Sequence, residues 1–221
     1  MAEEKDEFER KIARALRKFW GEQLDELRQE LGDPPREENI KPGFWDRWET
    51  ALAALLYLYL KDMSFDAVES VWSMPGVGGE ITAVLQNAGH LAEVHTQELV
   101  RQLTQTTMNL LRASLGRFYR IGGLTIEDLK RELEESAFSD ARAENVAITE
   151  TTWAFASGLW LAQQELAHQG QELQLVWRTA EDELVCNLCA PNNGQSIERL
   201  GEAPPRHPRC RCFEELVWKP L

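Results

Sequence analysis

Residues 173–218 read LQLVWRTAEDELVCNLCAPNNGQSIERLGEAPPRHPRCRCFEELVW, and their residue pattern differs from that of the preceding chain. Residues 173–178 and 213–218 alternate apolar and polar side chains well enough to predict two short strands. The Pro-Asn-Asn-Gly sequence at 191–194 is typical of a turn. The sequence therefore predicts a small β lobe in this part of the chain.

The same stretch contains all four cysteines of the chain and one histidine between them. A CxxC hook and a second group at 207–212 form two short ligand pairs joined by a loop, which is how tetrahedral zinc is usually held. Local clustering also favours a metal over a framework of disulfides for a whole secreted fold. The predicted metal ligands are Cys186, Cys189, His207, Cys210 and Cys212.

Five candidates compete for four positions on the metal. The preferred set is Cys186, Cys189 and His207 with one of Cys210 and Cys212, which would share a face of an extended segment. The alternative is an all-cysteine set with His207 outside the first coordination sphere. Either set closes a structural zinc site, and the HExxH and deaminase patterns of catalytic zinc are absent from the sequence. No catalytic residue is predicted.

Upstream of the lobe, hydrophobic periodicity predicts a mainly helical body. Thr125 is a predicted N-cap, and Ser139 or Asp140 is predicted to cap the helix that follows. The predicted helices cover residues 5–31, 44–63, 80–119 (as one helix or two), 125–135 and 140–168. The fold class is accordingly mainly α, a helical body with a small C-terminal zinc-bearing β lobe (α+β).

This pattern predicts three parts of the chain. Residues 1–41 form an amphipathic helix and a proline-bearing connector, 42–170 the helical body, and 171–221 the zinc-stapled lobe. The connector slightly favours a protruding arm over a bundle member for the first helix.

Two features of the body are predicted from residue size. Small residues spaced along 143–158 predict close helix packing. Four tryptophans at helical spacing are expected to pack in the core rather than to bind a sugar or a base. These are Trp45, Trp48, Trp153 and Trp160.

The charge of the chain indicates what kind of partner it has. A formal net charge of −13 argues against broad attraction to DNA or to an anionic membrane. The apolar run at 51–60 is half the length needed to cross a bilayer, and residues 1–10 do not resemble a signal sequence. We therefore expect a protein partner and a cytoplasmic location.

Several motifs together resemble the phage Mu F-like head morphogenesis family. They are Trp177-Arg-Thr-Ala-Glu-Asp182, Cys186-Asn-Leu-Cys189, Asn193-Gly194 and the ending Pro204-Pro205-Arg-His207-Pro208-Arg-Cys210-Arg-Cys212. The sequence Arg142-Ala-Glu-Asn-Val-Ala-Ile-Thr149-Glu150-Thr151 is similar to the central helix motif of that family. The resemblance covers roughly residues 95–213 and says little about the first 90.

The resemblance implies a minor capsid protein that associates with portal or capsid proteins. It implies a location in the virion or procapsid, and in the host cytoplasm during assembly, without enzymatic activity. Arg142, Thr149, Glu150, Trp177 and Asp182 are the residues it marks as structural or partner candidates. An Arg-to-carboxylate pair among them would fix the helix against the lobe, and a solvated helix face is the alternative.

Three alternatives stay open from the sequence. A zinc-dependent nuclease or hydrolase would need an open metal position and a carboxylate such as Asp182 or Glu183. A binding module of a toxin system would contain the same C-terminal zinc-binding segment. Arg206, Arg209 and Arg211 could give weak DNA contact, although three arginines are few, and pairing with Glu214 or Glu215 is favoured.

Overall fold

The computed structural model describes residues 2–180 and 185–219 and is mainly helical, with one antiparallel strand pair, as the sequence predicts. The helices are α1 (Ala2–Leu31), α2 (Phe44–Trp72), α3 (Thr82–Arg120), α4 (Ile126–Glu135), α5 (Asp140–His168) and α6 (Ile197–Leu200). The strands are β1 (Leu173–Arg178) and β2 (Phe213–Trp218), and short 3₁₀ turns cover Glu37–Asn39 and Ala190–Asn192.

The chain divides into two compact units, each built from separate segments. The first unit consists of Met1–Glu9, Tyr57–His95 and Asn145–Leu221, and the second of Arg10–Leu56 and Thr96–Glu144. The division into 1–41, 42–170 and 171–221 stays a prediction.

In the first unit, small residues let α2 and α5 approach closely. A Cβ added to Gly158 would meet the Ser64 carbonyl and lie 2.8 Å from the Ala67 Cβ. The Ser64 hydroxyl donates to the Ala154 carbonyl at 2.9 Å, so the contact also includes a buried hydrogen bond between the helices. The predicted close packing of the small residues on α5 is therefore confirmed.

In the second unit, α1 buries its apolar face. Ile12, Leu16, Leu24 and Leu27 are at most 3% exposed. The interpretation of this helix as a protruding arm is wrong, because its apolar stripe, which repeats every three to four residues, is buried from Ile12 to Leu27. The polar residues after the helix connect two packed helices.

The strand pair is antiparallel, with Leu173 opposite Trp218 and Arg178 opposite Phe213. The side chains of Leu173, Leu175 and Trp177 are buried on one face of β1, as alternation along a half-buried strand requires. Beyond Val176, residues 194–196 return along the outer edge of β1, where the Trp177 N–H donates to the Gln195 carbonyl at 2.8 Å.

Two local predictions have opposite outcomes. Thr125 caps α4 through a capping box with Asp128, which confirms the predicted N-cap. Trp160 was expected in the core, but it is 49% exposed, so that prediction is wrong. At about 100° per residue, Trp160 lies roughly 120° around the helix from Ala154 and roughly 160° from Gly158, so it is nearly opposite that buried face.

No helix in residues 2–180 or 185–219 has both the length and the apolar character needed to cross a membrane.

Candidate metal centre

The CxxC segment forms a tight hook at the start of a 3₁₀ turn. The N–H groups of Cys189 and Ala190 both donate to the Cys186 carbonyl, at 3.1 and 3.0 Å. The turn continues when the Asn192 N–H donates to the Cys189 carbonyl at 2.9 Å. The backbone therefore fixes the two cysteines three residues apart on one side of a turn.

The segment from His207 to Cys210 forms a second hook of the same kind. The Cys210 N–H donates to the His207 carbonyl at 3.1 Å, matching the bond that closes the first hook. Arg209 has φ +61°, a left-handed conformation that few residues other than glycine adopt. The sequence left open whether Cys210 or Cys212 acts with His207, and this HxxC hook, whose spacing equals that of the CxxC pair, was not predicted.

The two hooks bring sulfur and imidazole nitrogen together. The His207 Nε2 lies 3.1 Å from the Cys186 Sγ and 3.3 Å from the Cys189 Sγ. The Cys189 and Cys210 sulfurs are 3.9 Å apart. A tetrahedral zinc with ordinary bond lengths requires about 3.8 Å between two sulfurs and about 3.6 Å between sulfur and nitrogen. These three separations are within about 0.5 Å of those values.

All five predicted ligands enter this arrangement, which we call the cysteine–histidine cluster: Cys186, Cys189, His207, Cys210 and Cys212. Their donor atoms form two overlapping groups, within each of which all donors lie within 4.8 Å of one another, and Cys189 belongs to both groups. Thiolate and imidazole are the donors that zinc prefers. The cluster is able to hold a metal ion, and its donor set fits zinc.

Hydrogen bonding orients the histidine for this role. The His207 Nδ1 donates to the Pro208 carbonyl at 2.8 Å, and this bond raises the pKa of His207. With its proton on Nδ1, the neutral ring presents the lone pair of Nε2 to the two sulfurs. Metal-binding histidines usually donate their other ring nitrogen to a carbonyl or carboxylate in this way.

The cysteines differ in how readily they give up a proton. A hydrogen bond from Cys212 lowers the pKa of Cys210 to about 5, and backbone N–H groups act in the same direction. The same thiol–thiol bond, together with burial, raises the pKa of Cys212. Burial raises the pKa of Cys189 to about 12. Without a cation, Cys210 is therefore the preferred thiolate, and a cation would be needed to deprotonate Cys189 and Cys212.

Two observations differ on the fourth ligand. A cavity of about 20 Å³, enough for one ion, is bounded by Cys186, Cys189, His207 and Cys212. The hook geometry instead selects Cys210. The backbone hook is the firmer criterion, because a single χ1 rotation of Cys210 or Cys212 would change which residues border so small a cavity.

Helix α5 supports the second hook through two threonines. The Thr149 hydroxyl accepts a hydrogen bond from the Arg209 N–H at 3.0 Å. The Thr152 hydroxyl donates to the Cys210 carbonyl at 2.8 Å, and this bond is buried. Thr149 was predicted from the sequence and Thr152 was not, because the partner of Thr152 lies 58 residues away along the chain.

Trp177 packs directly against the cluster. Its side chain is fully buried in one core with Cys189, Cys210 and Cys212. The backbone of Trp177 bonds to both Gln195 and Gly194, at 2.8 Å each, which fixes the strand beside the CxxC hook. The structure therefore brings Thr149 and Trp177 to the cluster.

Glu150 and Arg142 make their contacts elsewhere. The Glu150 carboxylate lies 2.6 Å from the His95 Nε2, and the His95 ring stacks on Trp153 with centroids 3.5 Å apart. In the second unit, the Arg142 guanidinium binds the Thr107 hydroxyl and backbone carbonyls and lies over the Trp20 ring. Of the two alternatives left open for Arg142, the pair with a carboxylate is not found among the described residues, where its hydrogen-bond partners are carbonyls and a hydroxyl. Burial lowers the pKa of Arg142 to about 10.

The remaining candidate residues make contacts outside the cluster or lie outside the described residues. Arg206 donates to the Leu188 carbonyl at 2.8 Å and pairs with Glu202 at 3.1 Å. Glu215, one of the two carboxylates expected to pair with the arginines of residues 206–211, pairs with Arg178 across the strand pair at 2.5 Å. Asp182 and Glu183 lie outside the described residues.

Helix α5, strand β1 with Trp177, and the cluster follow one another along the chain, in the order that the sequence motifs predicted. A family model described as Phage Mu protein F like protein matches residues 121–214. The predicted resemblance is confirmed over this stretch, which is somewhat less than half of the chain. The matched segment includes all five residues of the cluster, and the match supports a role in phage head morphogenesis.

No curated protein and no solved structure matches the chain.

Proposed function

We propose that the chain is a non-enzymatic assembly component of a phage head that binds portal or capsid proteins. The match of residues 121–214 to the phage Mu F-like family carries this proposal. A structural role is typical of that family. The protein would act in the host cytoplasm during assembly and then stay in the procapsid or virion.

The metal in this proposal is one zinc ion held by Cys186, Cys189, His207 and Cys210. Four protein ligands close the coordination sphere, whereas catalytic zinc keeps one position for water or substrate. Cys212 would remain a buried thiol that donates to the Cys210 sulfur. This ligand set supports a structural metal.

Zinc would supply folding free energy to a lobe with little apolar mass. The strand pair contains only six residues in each strand, and an isolated pair of strands is at best marginally stable in water. Between the strands, residues 185–212 make the two hooks, short turns and the four-residue helix α6, so few large apolar side chains are available in this segment. Metal binding is one of the usual ways to stabilise such a small element.

The test is complementation of the phage or prophage that encodes this chain after its gene has been deleted. Wild type, Cys186→Ser and the control Cys212→Ser would be supplied from a plasmid, and particles would be examined by electron microscopy and protein mass spectrometry. We expect the chain in heads or procapsids with wild type and Cys212→Ser, and defective heads with Cys186→Ser.

Two results would contradict the proposal. Normal infectious heads in the deletion strain would exclude a required role in assembly. Metal-dependent cleavage of DNA or peptide by the purified protein would point to the nuclease or hydrolase alternative.

A further inference from the structure

An open groove of about 630 Å³ lies in the first unit, away from the cysteine–histidine cluster. The end of α5, the first residues of β1 and helix α6 form its walls. Trp160, Leu175, Gln171 and Glu198 are among the residues that line it. Volumes of this size accommodate small molecules or a short peptide.

One wall of the groove is a short unpaired edge of β1. At Trp177 the outer edge is occupied by residues 194–195, and an isolated bridge joins Val176 to Ser196. Main-chain groups of an antiparallel strand alternate between its two edges, so those of Leu173 and Leu175 face the same outer edge as Trp177. Within residues 2–180 and 185–219, nothing accepts a hydrogen bond from the Leu175 N–H on that edge.

Side chains of the groove also leave groups that a peptide would satisfy. The Leu173 carbonyl has a Gln163 side-chain amide at 3.3 Å, a long bond that an incoming backbone N–H would replace. The Gln171 Oε1 is buried and has no hydrogen-bond partner in the described part of the chain. Trp160 exposes about half of its side chain beside them. A free donor, a free acceptor and an exposed aromatic ring complement an extended polypeptide.

Charge indicates the chemistry of that polypeptide. Glu172 and Glu198 are exposed at the groove, and the Lys219 amine is 3.9 Å from Glu198. The chain as a whole has a formal net charge of −13. A basic segment is attracted by these charges, whereas a second copy of this chain meets like-charge repulsion.

We propose that this groove binds an extended, basic segment of a partner protein, which pairs with β1 at Leu173–Leu175 and places an apolar side chain against Trp160. This mode is β-strand addition, in which main-chain hydrogen bonds give affinity and alternate side chains give specificity. The inference rests on the proposed function, since it describes how a head protein would be held.

The test uses a fluorescein-labelled eight-residue peptide of alternating Lys and Val, measured by fluorescence anisotropy against the zinc-loaded full chain. One control peptide carries Glu in place of Lys. Two others carry N-methyl groups, one on the odd-numbered and one on the even-numbered residues, so that each lacks the main-chain donors of one edge. The protein variants are Trp160→Ala and Glu198→Lys. Leu58→Ala is the matched control, because Leu58 is 56% exposed and lies on α2 outside the groove.

We expect saturable binding of the basic peptide and about tenfold weaker binding with Trp160→Ala, as for an aromatic residue central to an interface. Glu198→Lys weakens binding, Leu58→Ala leaves it unchanged, and one of the two N-methylated peptides fails to bind. Amide hydrogen exchange at Leu175 slows when the basic peptide is bound.

Absence of saturable binding, or binding that is equal for Trp160→Ala and wild type, overturns the proposed groove. Equal binding of the Lys and Glu peptides overturns the basic character of the partner. Head assembly in the complementation test is measured separately. A chain that binds zinc and enters heads but does not bind the peptide refutes the groove alone.

Discussion

Adjacent threonines on α5 test whether the helix holds the cluster in place. The Thr152 hydroxyl donates a buried hydrogen bond to the Cys210 carbonyl at 2.8 Å. The Thr151 hydroxyl is also buried but has no hydrogen-bond partner in the described part of the chain. Replacement by valine removes a bonded hydroxyl at one position and an unbonded one at the next, with nearly the same change in shape.

The two substitutions should change stability in opposite directions. Thr152→Val leaves the Cys210 carbonyl unpaired and should lower the free energy of unfolding by about 1–3 kcal/mol. For a chain of this size that corresponds to a fall in Tm of roughly 2–12 °C. Thr151→Val replaces a buried unpaired hydroxyl with a methyl group and should be neutral or stabilising by about 1 kcal/mol.

Thermal unfolding followed by circular dichroism with zinc present measures both variants. Competition with a chromogenic chelator should also show roughly tenfold weaker zinc binding for Thr152→Val, because it loosens a group next to a ligand. The control is Thr106→Val, whose exposed hydroxyl bonds only to the Gln102 carbonyl in the same helix and should change stability by less than about 0.5 kcal/mol. Equal losses for Thr151→Val and Thr152→Val would refute the role of the buried hydrogen bond.

Three further predictions concern packing, a buried cation and the metal. Gly158→Ala should lower the Tm by roughly 2–8 °C, because the new Cβ meets the Ser64 carbonyl. The control Gly116→Ala has open space around the new Cβ and should raise the Tm. Differential scanning calorimetry measures the Tm of both variants. Arg142→Met should lower the free energy of unfolding, measured in urea, by about 2–4 kcal/mol, because it leaves buried carbonyls unpaired. The control Arg101→Met, at an exposed position, should lower it by less than about 0.5 kcal/mol. Equal losses would contradict the role of Arg142 in binding buried carbonyls. Removal of zinc with a chelator should change the near-ultraviolet circular dichroism of the buried Trp177, and zinc but not magnesium should restore it.

The helices could be predicted closely because their signals are local. The bounds of α5 agree with the prediction, and Thr125 caps α4 through the acid three residues later. Helix α2 extends beyond the predicted end at 63 because Ala67, Val68 and Val71 are buried after a polar interruption. Residues 82–120 form one helix where the sequence allowed one or two.

Side-chain partners were harder to predict because they depend on distant segments. The spacing of Trp153 and Trp160 indicated a shared helix face, but not that one ring stacks on His95 while the other borders a groove. Likewise, nothing in the local sequence shows that Thr152 meets the Cys210 carbonyl.

The five ligand residues could be identified from the sequence, but the pairing of His207 with Cys210 in one hook could not. The CxxC pair has a familiar spacing, and the matching HxxC spacing was obscured by Cys212 two residues further on. Only the backbone bond from the Cys210 N–H to the His207 carbonyl shows that the second hook copies the first.

The most direct measurement is the metal content of the purified full chain by elemental analysis, for wild type and for Cys186→Ser, Cys210→Ser and Cys212→Ser separately. We predict one zinc ion per chain, lost in Cys186→Ser and Cys210→Ser and kept in Cys212→Ser. Zinc kept in Cys210→Ser and lost in Cys212→Ser would contradict the assigned ligand set. Absence of metal in wild type prepared without chelator would contradict the structural zinc site itself.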